Sequence, residues 1–149
     1  VECIYKDILK KTTFEPEKAY IVNLADETNP DNFGTHYCLL YSKYKQEKAE
    51  NLEHIWFDSY GGGCAREVNT FTKVAKMPYC NVNIQGKFSS SCGFYCLAML
   101  YYLTTFKNRV NDLYVDAEMF LDLFNDTNVK VNILANEFIA QRVLQGDAF

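Results

Sequence analysis

The chain has 149 residues, of which 48% are hydrophobic and 23% are charged, and its formal net charge is −4. This composition is too apolar for a disordered protein, and the length suits one hydrophobic core, so we expect a single domain over residues 1–149. The longest apolar run, 94–103, is shorter than a membrane span, and the acidic balance gives no support for nucleic-acid binding.

The first quarter of the chain predicts a helix followed by strands. Apolar residues at helical spacing indicate a short helix over 2–11, and the β-branched and aromatic run 19–24 indicates a strand. The sequence DETNPDNFGT, at 26–35, has the composition of a turn. A second strand is predicted over 36–42.

The middle of the chain contains two further predicted strands. The charged segment 44–53 is typical of a solvated hairpin loop, and the run 54–58 after it predicts a strand. Three glycines at 61–63 indicate a tight turn, because they lack the lysine and Ser/Thr of a phosphate-binding loop. A short amphipathic helix over 67–76 and a strand over 81–85 follow.

The last third of the chain is predicted to be helical. A strongly apolar helix begins near Cys92, and Ser91 or a neighbouring serine is expected to cap its first turn. Segments 112–126 and 128–145 also have apolar residues at helical spacing, which predicts two packing helices. Their acidic surfaces are expected to face solvent.

The six cysteines are expected to be free thiols and not metal ligands. The opening VECIYKDILKK lacks the apolar stretch of a signal peptide, so we expect an intracellular protein in a reducing compartment, where disulfides are uncommon. No two cysteines have C-x-x-C spacing, and the chain has only two histidines, so we expect no metal site.

Cys92 is the cysteine whose position favours reactivity. A thiol in the first turn of a helix lies near the positive end of the helix dipole and near backbone N–H groups, both of which lower its pKa. The neighbouring Gly93 allows a substrate backbone to approach the sulfur. By contrast, Cys96 lies one turn inside the apolar helix and is expected to be a small buried hydrophobic residue.

A nucleophilic cysteine needs a base, and only His36 and His54 are available. His54 and Asp58 lie four residues apart on one predicted strand, about 13 Å at the usual rise, which is too far for a hydrogen bond. His36 instead faces Asp58 if the two predicted strands are neighbours. We therefore assign His36 as the base and Asp58 as its orienting partner, although a strand-edge histidine and a strand-end aspartate without a catalytic role fit the spacing equally well.

A glutamine completes the set of candidate residues. Gln85 ends a predicted strand seven residues before Cys92, where its side-chain amide and the Cys92 backbone N–H are placed to stabilise an oxyanion.

The order His36, Asp58 in WFDSYGG, Gln85, and Cys92 in SSSCGFYCL resembles that of adenain-type cysteine proteases. This group contains the adenovirus maturation protease and is similar to the SUMO-deconjugating Ulp proteases; the compact proteases of virophages and Polinton (Maverick) elements are the most similar. The resemblance covers about residues 20–105. It implies an α+β fold with a mixed central sheet packed against the helix that bears the nucleophile. It also implies a Cys92-His36-Asp58 triad with an oxyanion hole formed by Gln85 and the Cys92 amide.

The resemblance further implies cleavage after glycine in Gly-Gly or Gly-X sequences of viral capsid precursors, in the virion and the virus factory of the host cell. Relatives commonly carry Trp where this chain has Tyr37, which is expected to line the substrate cleft beside Gly93. The adenovirus enzyme is basic and takes DNA and a disulfide-linked peptide as cofactors; for this acidic chain we expect a monomer that needs no cofactor.

Three alternatives stay open on the sequence. A peptide activator that bonds to Cys3, Cys38 or Cys64 is one, although we expect ordinary thiols there. A deconjugase that acts on the Gly-Gly tail of a ubiquitin-like protein is the second. An inactive module that binds glycine-rich peptides is the third, and it is disfavoured because all four chemical positions are present.

Overall fold

The computed structural model describes residues 1–25, 36–45, 48–85, 91–124 and 133–146, without the side chains of 48–50 and 133–135. Five strands form one sheet: β1 (Glu2–Tyr5), β2 (Ala19–Asn23), β3 (Tyr37–Lys45), β4 (Lys48–Phe57) and β5 (Tyr79–Cys80). A 3-10 helix spans Lys6–Lys11, and the α-helices are α1 (Arg66–Thr72), α2 (Cys92–Thr104), α3 (Leu113–Asp122) and α4 (Ile133–Leu144). No helix in these ranges is long and apolar enough to cross a membrane.

The sheet is mixed, with the strands in chain order from one edge to the other. The central pairs, β2 with β3 and β3 with β4, are antiparallel, whereas β1 and β5 pair in parallel with their neighbours. A parallel pair needs a crossover connection, and the chain makes one through the 3-10 helix and the other through α1. The fold is therefore α+β with a mixed central sheet, as the sequence resemblance implies.

Two apolar clusters cover the two faces of the sheet. Because successive side chains of a strand point to opposite faces, Leu39 and Phe57 face the helices α2, α3 and α4. Leu40 and Trp56 face the opposite side, where the 3-10 helix and α1 pack. Helix α2 thus lies inside the larger cluster, which explains why it is apolar on nearly every side.

The two ends of the sheet differ from the sequence prediction. Segment 2–11 is not one helix, because residues Glu2–Tyr5 pair with β2 as an edge strand and only Lys6–Lys11 are helical. The predicted strand at 81–85 is also wrong: β5 ends at Cys80, and the amides of Ile84 and Gln85 bond to the carbonyl of Ser59 at 2.9 and 3.2 Å.

The charged segment 44–53 is mostly strand and not loop. Its described residues belong to the ends of β3 and β4 that lie away from His36 and Asp58. Lys43 pairs there with Glu53, so unlike charges on neighbouring strands stabilise a pairing that no apolar pattern indicates. The predicted helix 67–76 is shorter than expected, because Lys73 adopts a left-handed conformation (φ 60°) that ends α1. The predicted turn over 26–35 lies outside the described residues.

Candidate active site

Cys92 is the first residue of α2, as predicted, and is buried at the edge of the sheet. Its sulfur accepts a hydrogen bond from the backbone N–H of Tyr37, with 3.4 Å between nitrogen and sulfur. One turn later, the thiol of Cys96 donates to the carbonyl oxygen of the same residue, Tyr37, at 3.4 Å. Two sulfurs of α2 therefore bond to the backbone N–H and C=O of one residue of β3, and this fixes the helix against the strand that follows His36.

His36 and Asp58 meet at one end of the two central strands. His36 directly precedes β3 and Asp58 directly follows β4, and the antiparallel pairing of Leu39 with Phe57 brings these two ends together. The distance between His36 Nε2 and Asp58 Oδ1 is 2.7 Å. The expected contact across neighbouring strands is therefore present.

The imidazole of His36 lies between the carboxylate and the thiol. Burial by itself lowers the pKa of His36, but hydrogen bonds to Asp58 and Cys92 outweigh it and raise the pKa to about 9. Burial likewise raises the pKa of the Cys92 thiol, yet the His36 hydrogen bond and the backbone N–H groups hold that pKa below its ordinary value. The opposite shifts favour a thiolate beside an imidazolium.

Asp58 is held in its charged form by the turn that follows it. Burial raises the pKa of this carboxyl, but the bonds from His36 and from the backbone N–H of Tyr60 outweigh burial and lower it. The Tyr60 nitrogen lies 2.8 Å from Oδ1. A Cβ at Gly62 would lie 2.6 Å from Oδ2, so a side chain there would displace the carboxylate. This steric limit explains the glycine at position 62 of the predicted tight turn.

The environment distinguishes Cys92 from the other buried cysteines. All six cysteines lie in the described ranges and are free thiols. Burial raises the pKa of Cys80 to about 12 and that of Cys64 to about 12, and it raises the pKa of Cys38 and Cys96 as well. Cys92 alone among these five has a lowered pKa. Cys96 is fully buried, as expected from its place inside the apolar helix.

Gln85 is completely buried, and its amide is held by Ser59. The Ser59 hydroxyl donates to Gln85 Oε1, which identifies Nε2 as the donor end of the amide. Ser59 directly follows Asp58, so one short turn supports both the carboxylate and the amide. Ser59 was not singled out from the sequence, although it lies within the motif WFDSYGG.

Tyr37 and Gly93, predicted to bind substrate, lie beside each other at the thiol. A Cβ added to Gly93 would lie 3.9 Å from the Tyr37 ring. A second tyrosine, Tyr60, was missed by sequence reasoning: its ring centroid lies 4.7 Å from that of His36. Aromatic rings thus flank both the nucleophile and the base.

His54 lies apart from these groups. Its Nδ1 is 2.7 Å from the Ser42 hydroxyl, and its ring packs near Phe14 on the opposite face of the sheet from α2. The structure therefore associates His36, and not His54, with Cys92.

Among the residues that the structure describes, one set of side chains could hold a metal, and two of its three members, His36 and Asp58, are also candidate catalytic residues. One ligand atom each from His36, Cys38 and Asp58 lie within 4.8 Å of one another. A thiol must lose its proton to bind a metal, and burial raises the pKa of Cys38. Asp58 Oδ1 is already bonded to His36, so this set fits a proton-transfer pair better than a metal centre.

Comparison with known proteins gives a likeness in structure but none in sequence. No protein-family model and no curated protein matches the sequence. The crystal structure of the ASFV pS273R protease is similar in fold, with a TM-score of 0.41 and 14% sequence identity. The likeness covers 82% of this chain and 43% of that protein, so this chain spans less than half of its length. The function proposed below rests on the site itself.

Proposed function

We propose that this chain is a cysteine endopeptidase in which Cys92 is the nucleophile, His36 the general base and Asp58 the residue that orients His36. One observation carries the proposal: His36 Nε2 lies 2.7 Å from Asp58 Oδ1, and the interactions of His36 with Asp58 and Cys92 raise the pKa of the histidine and lower that of the thiol. This is the arrangement that activates a thiol for attack on a carbonyl.

In the first half of the reaction, the Cys92 thiolate attacks the carbonyl carbon of a peptide bond. A C–S bond forms, and the carbonyl electrons move to oxygen, where the Gln85 amide and the Cys92 backbone N–H donate to the negative charge. The C–N bond then breaks, and the leaving amine takes its proton from the His36 imidazolium. A thioester on Cys92 and a neutral His36 remain.

Water completes the cycle through the same imidazole. His36 removes a proton from water, the water oxygen attacks the thioester carbon, and the C–S bond breaks. The thiolate and the imidazolium are thereby restored. Asp58 keeps the ring in place and stabilises its charged form throughout.

Small residues near the scissile bond are the proposed substrate feature. Tyr37 lies against Gly93, and Tyr60 lies against His36, so bulky side chains have little room next to the thiol. Together with the adenain-like motif, this supports cleavage after glycine in Gly-Gly or Gly-X sequences. We further propose capsid precursors as substrates, a monomer as the active form, no required cofactor, and the virion and virus factory as the place of action.

The test uses purified protein, a Cys92→Ala variant and two matched histidine variants, His36→Gln and His54→Gln. The probes are an internally quenched peptide with a central Gly-Gly and the same peptide with Ala-Ala. We expect the Gly-Gly peptide to be cleaved by the parent and by His54→Gln but not by Cys92→Ala or His36→Gln, with products identified by mass.

A second probe separates the alternatives. A ubiquitin-like protein extended beyond its Gly-Gly tail reports deconjugase activity. Cleavage of this protein without cleavage of the internal peptide would favour the deconjugase. Cleavage of neither probe by the parent would contradict the endopeptidase and favour the glycine-peptide binding module.

A further inference from the structure

Two consecutive residues of helix α4 form hydrogen bonds to the segments that carry the candidate site residues. Asn136 is completely buried, and its Nδ2 donates to the carbonyl oxygen of Ile84 at 2.8 Å. The next residue, Glu137, accepts a hydrogen bond from the Ser91 hydroxyl to its Oε1, also at 2.8 Å. These contacts link α4 to the two chain segments that carry Gln85 and Cys92.

Each contact falls one residue before a proposed oxyanion donor. Ile84 directly precedes Gln85, and Ser91 directly precedes Cys92. Gln85 is not part of a β-strand, so no sheet ladder fixes it; its backbone is held by Ser59, and the preceding carbonyl is held by Asn136. The position of the amide therefore depends on α4.

Glu137 is the hydrogen-bond acceptor for the side chain of Ser91. Ser91 occupies the N-cap position of α2 but makes no side-chain capping bond, and its hydroxyl donates to Glu137. A capping serine would direct its oxygen at N–H groups of the first turn. The contact with Glu137 thus ties the residue that directly precedes Cys92 to α4.

The docking of α4 does not need these two polar contacts. Ala140 and Val143 of α4 are completely buried in the larger apolar cluster together with residues of α2. Apolar burial of this kind holds a helix in place by itself. The two hydrogen bonds therefore orient the segments around Ile84 and Ser91 relative to a helix that apolar contacts already hold in place.

We propose that Asn136 and Glu137 are positioning residues that set the geometry of the oxyanion hole, Asn136 through Gln85 and Glu137 through the amide of Cys92. This rests on the proposed peptidase function. The two residues contact neither the thiol nor the substrate; they act through the residues that precede the two donors.

Two measurements on the same variants separate the oxyanion hole from the triad. Hydrolysis of the Gly-Gly peptide needs both. Alkylation of Cys92 by iodoacetamide needs the thiolate but forms no oxyanion, and mapping the modified peptide by mass distinguishes Cys92 from the exposed Cys3. The variants are Ser91→Ala, Glu137→Ala and Asn136→Ala. Phe138→Ala, at an exposed position of the same helix, is the matched control.

We expect kcat for the Gly-Gly peptide to fall about tenfold in Ser91→Ala, Glu137→Ala and Asn136→Ala, less than the loss of a whole oxyanion donor. The alkylation rate of Cys92 and its pH dependence stay as in the parent. Glu137→Gln keeps an acceptor oxygen and retains most of the activity, and Phe138→Ala matches the parent.

Three results would count against the proposal. Unchanged kcat in Ser91→Ala and Glu137→Ala would overturn it, and so would a parallel loss of hydrolysis and alkylation, which indicates a general disturbance of the site. Since Ser91→Ala breaks the contact without altering α4, poor folding of Asn136→Ala does not affect the test. A parent whose Cys92 is alkylated but which hydrolyses no peptide would contradict the proposed function, and the positioning role with it.

Discussion

His36 is the residue on which the chemistry of the site depends. Its ring is partly withdrawn from water, which disfavours its charged form, yet two hydrogen-bonded partners of opposite charge outweigh that effect. Cys92 gains from the same contact, because its thiolate is stabilised by the neighbouring imidazolium. The two residues therefore titrate as a pair.

The pH profile of the proposed activity follows from these shifts. We expect kcat/KM to rise with pH as Cys92 loses its proton, and to fall at about pH 9 as His36 loses the proton that the leaving amine needs. In Asp58→Asn the amide no longer stabilises the imidazolium, so the fall should move to lower pH. Profiles of kcat/KM for both proteins test this, and an upper limb at the same pH in Asp58→Asn would contradict it.

At this scale the sequence predicted which candidate side chains meet but not which residues support them. The residue types of Cys92, His36 and Asp58 and the strand positions of the last two were sufficient to predict the contact. Ser59 and Tyr60 were missed, because serine and tyrosine in a turn carry no distinctive pattern until the turn is folded around Asp58. The contacts of Asn136 and Glu137 join positions about 50 residues apart, which no local pattern indicates.

At the scale of the elements, strand β4 contains a second histidine, His54, whose pKa is lowered whereas that of His36 is raised. Burial lowers the pKa of His54, so its folded form disfavours the added proton. Because the pKa of His54 is lower in the folded than in the unfolded protein, where it is about 6.5, His54 stabilises the fold above about pH 6.5. This stability is lost as the pH falls. His36, whose folded pKa is about 9, contributes stability that is present below about pH 6.5 and is lost as pH rises through 9.

The two histidines therefore predict opposite trends in thermal stability. The Tm of the parent should exceed that of His54→Gln at about pH 8, and the difference should narrow at about pH 5. For His36→Gln the difference should be largest near pH 6 and should narrow towards pH 10. Thermal unfolding across this range measures both, and a difference between parent and His54→Gln that grows on acidification would contradict the assignment.

Helices and strands were predicted correctly where a local apolar pattern determines them. They were predicted wrongly where pairing with a distant strand determines them. Helix α2 was predicted because its apolar residues and its start at Cys92 are local properties. Residues Glu2–Tyr5 have helical spacing, but they gain backbone hydrogen bonds only by adding to the edge of β2. For β5, Pro78 sets the position, since its carbonyl oxygen accepts from the amide of Trp56 at 2.9 Å.

At the scale of the whole molecule, Phe120 connects the sheet with the helices. Its ring is completely buried and lies within 6.0 Å, between centroids, of Phe57, Tyr102 and Phe124. Phe120→Ala should lower the free energy of unfolding by about 3 to 5 kcal/mol.

Urea unfolding measures this change, with Val115→Ala as the control on the same helix. Val115 is 43% exposed, so its truncation should change the free energy of unfolding by less than about 0.5 kcal/mol. Equal effects of the two substitutions would show that α3 does not pack as described.

The β3–β4 hairpin also separates the candidate active site from a position at which a label or a surface can be attached. His36 and Asp58 lie at one end of it, and the exposed Lys45 lies at the other, nine strand residues away. At about 3.3 Å per residue this separates Lys45 from His36 by roughly 30 Å. A fluorophore or a surface anchor at Lys45 would therefore lie far from the candidate active site, which makes this position suitable for following single molecules of the protein.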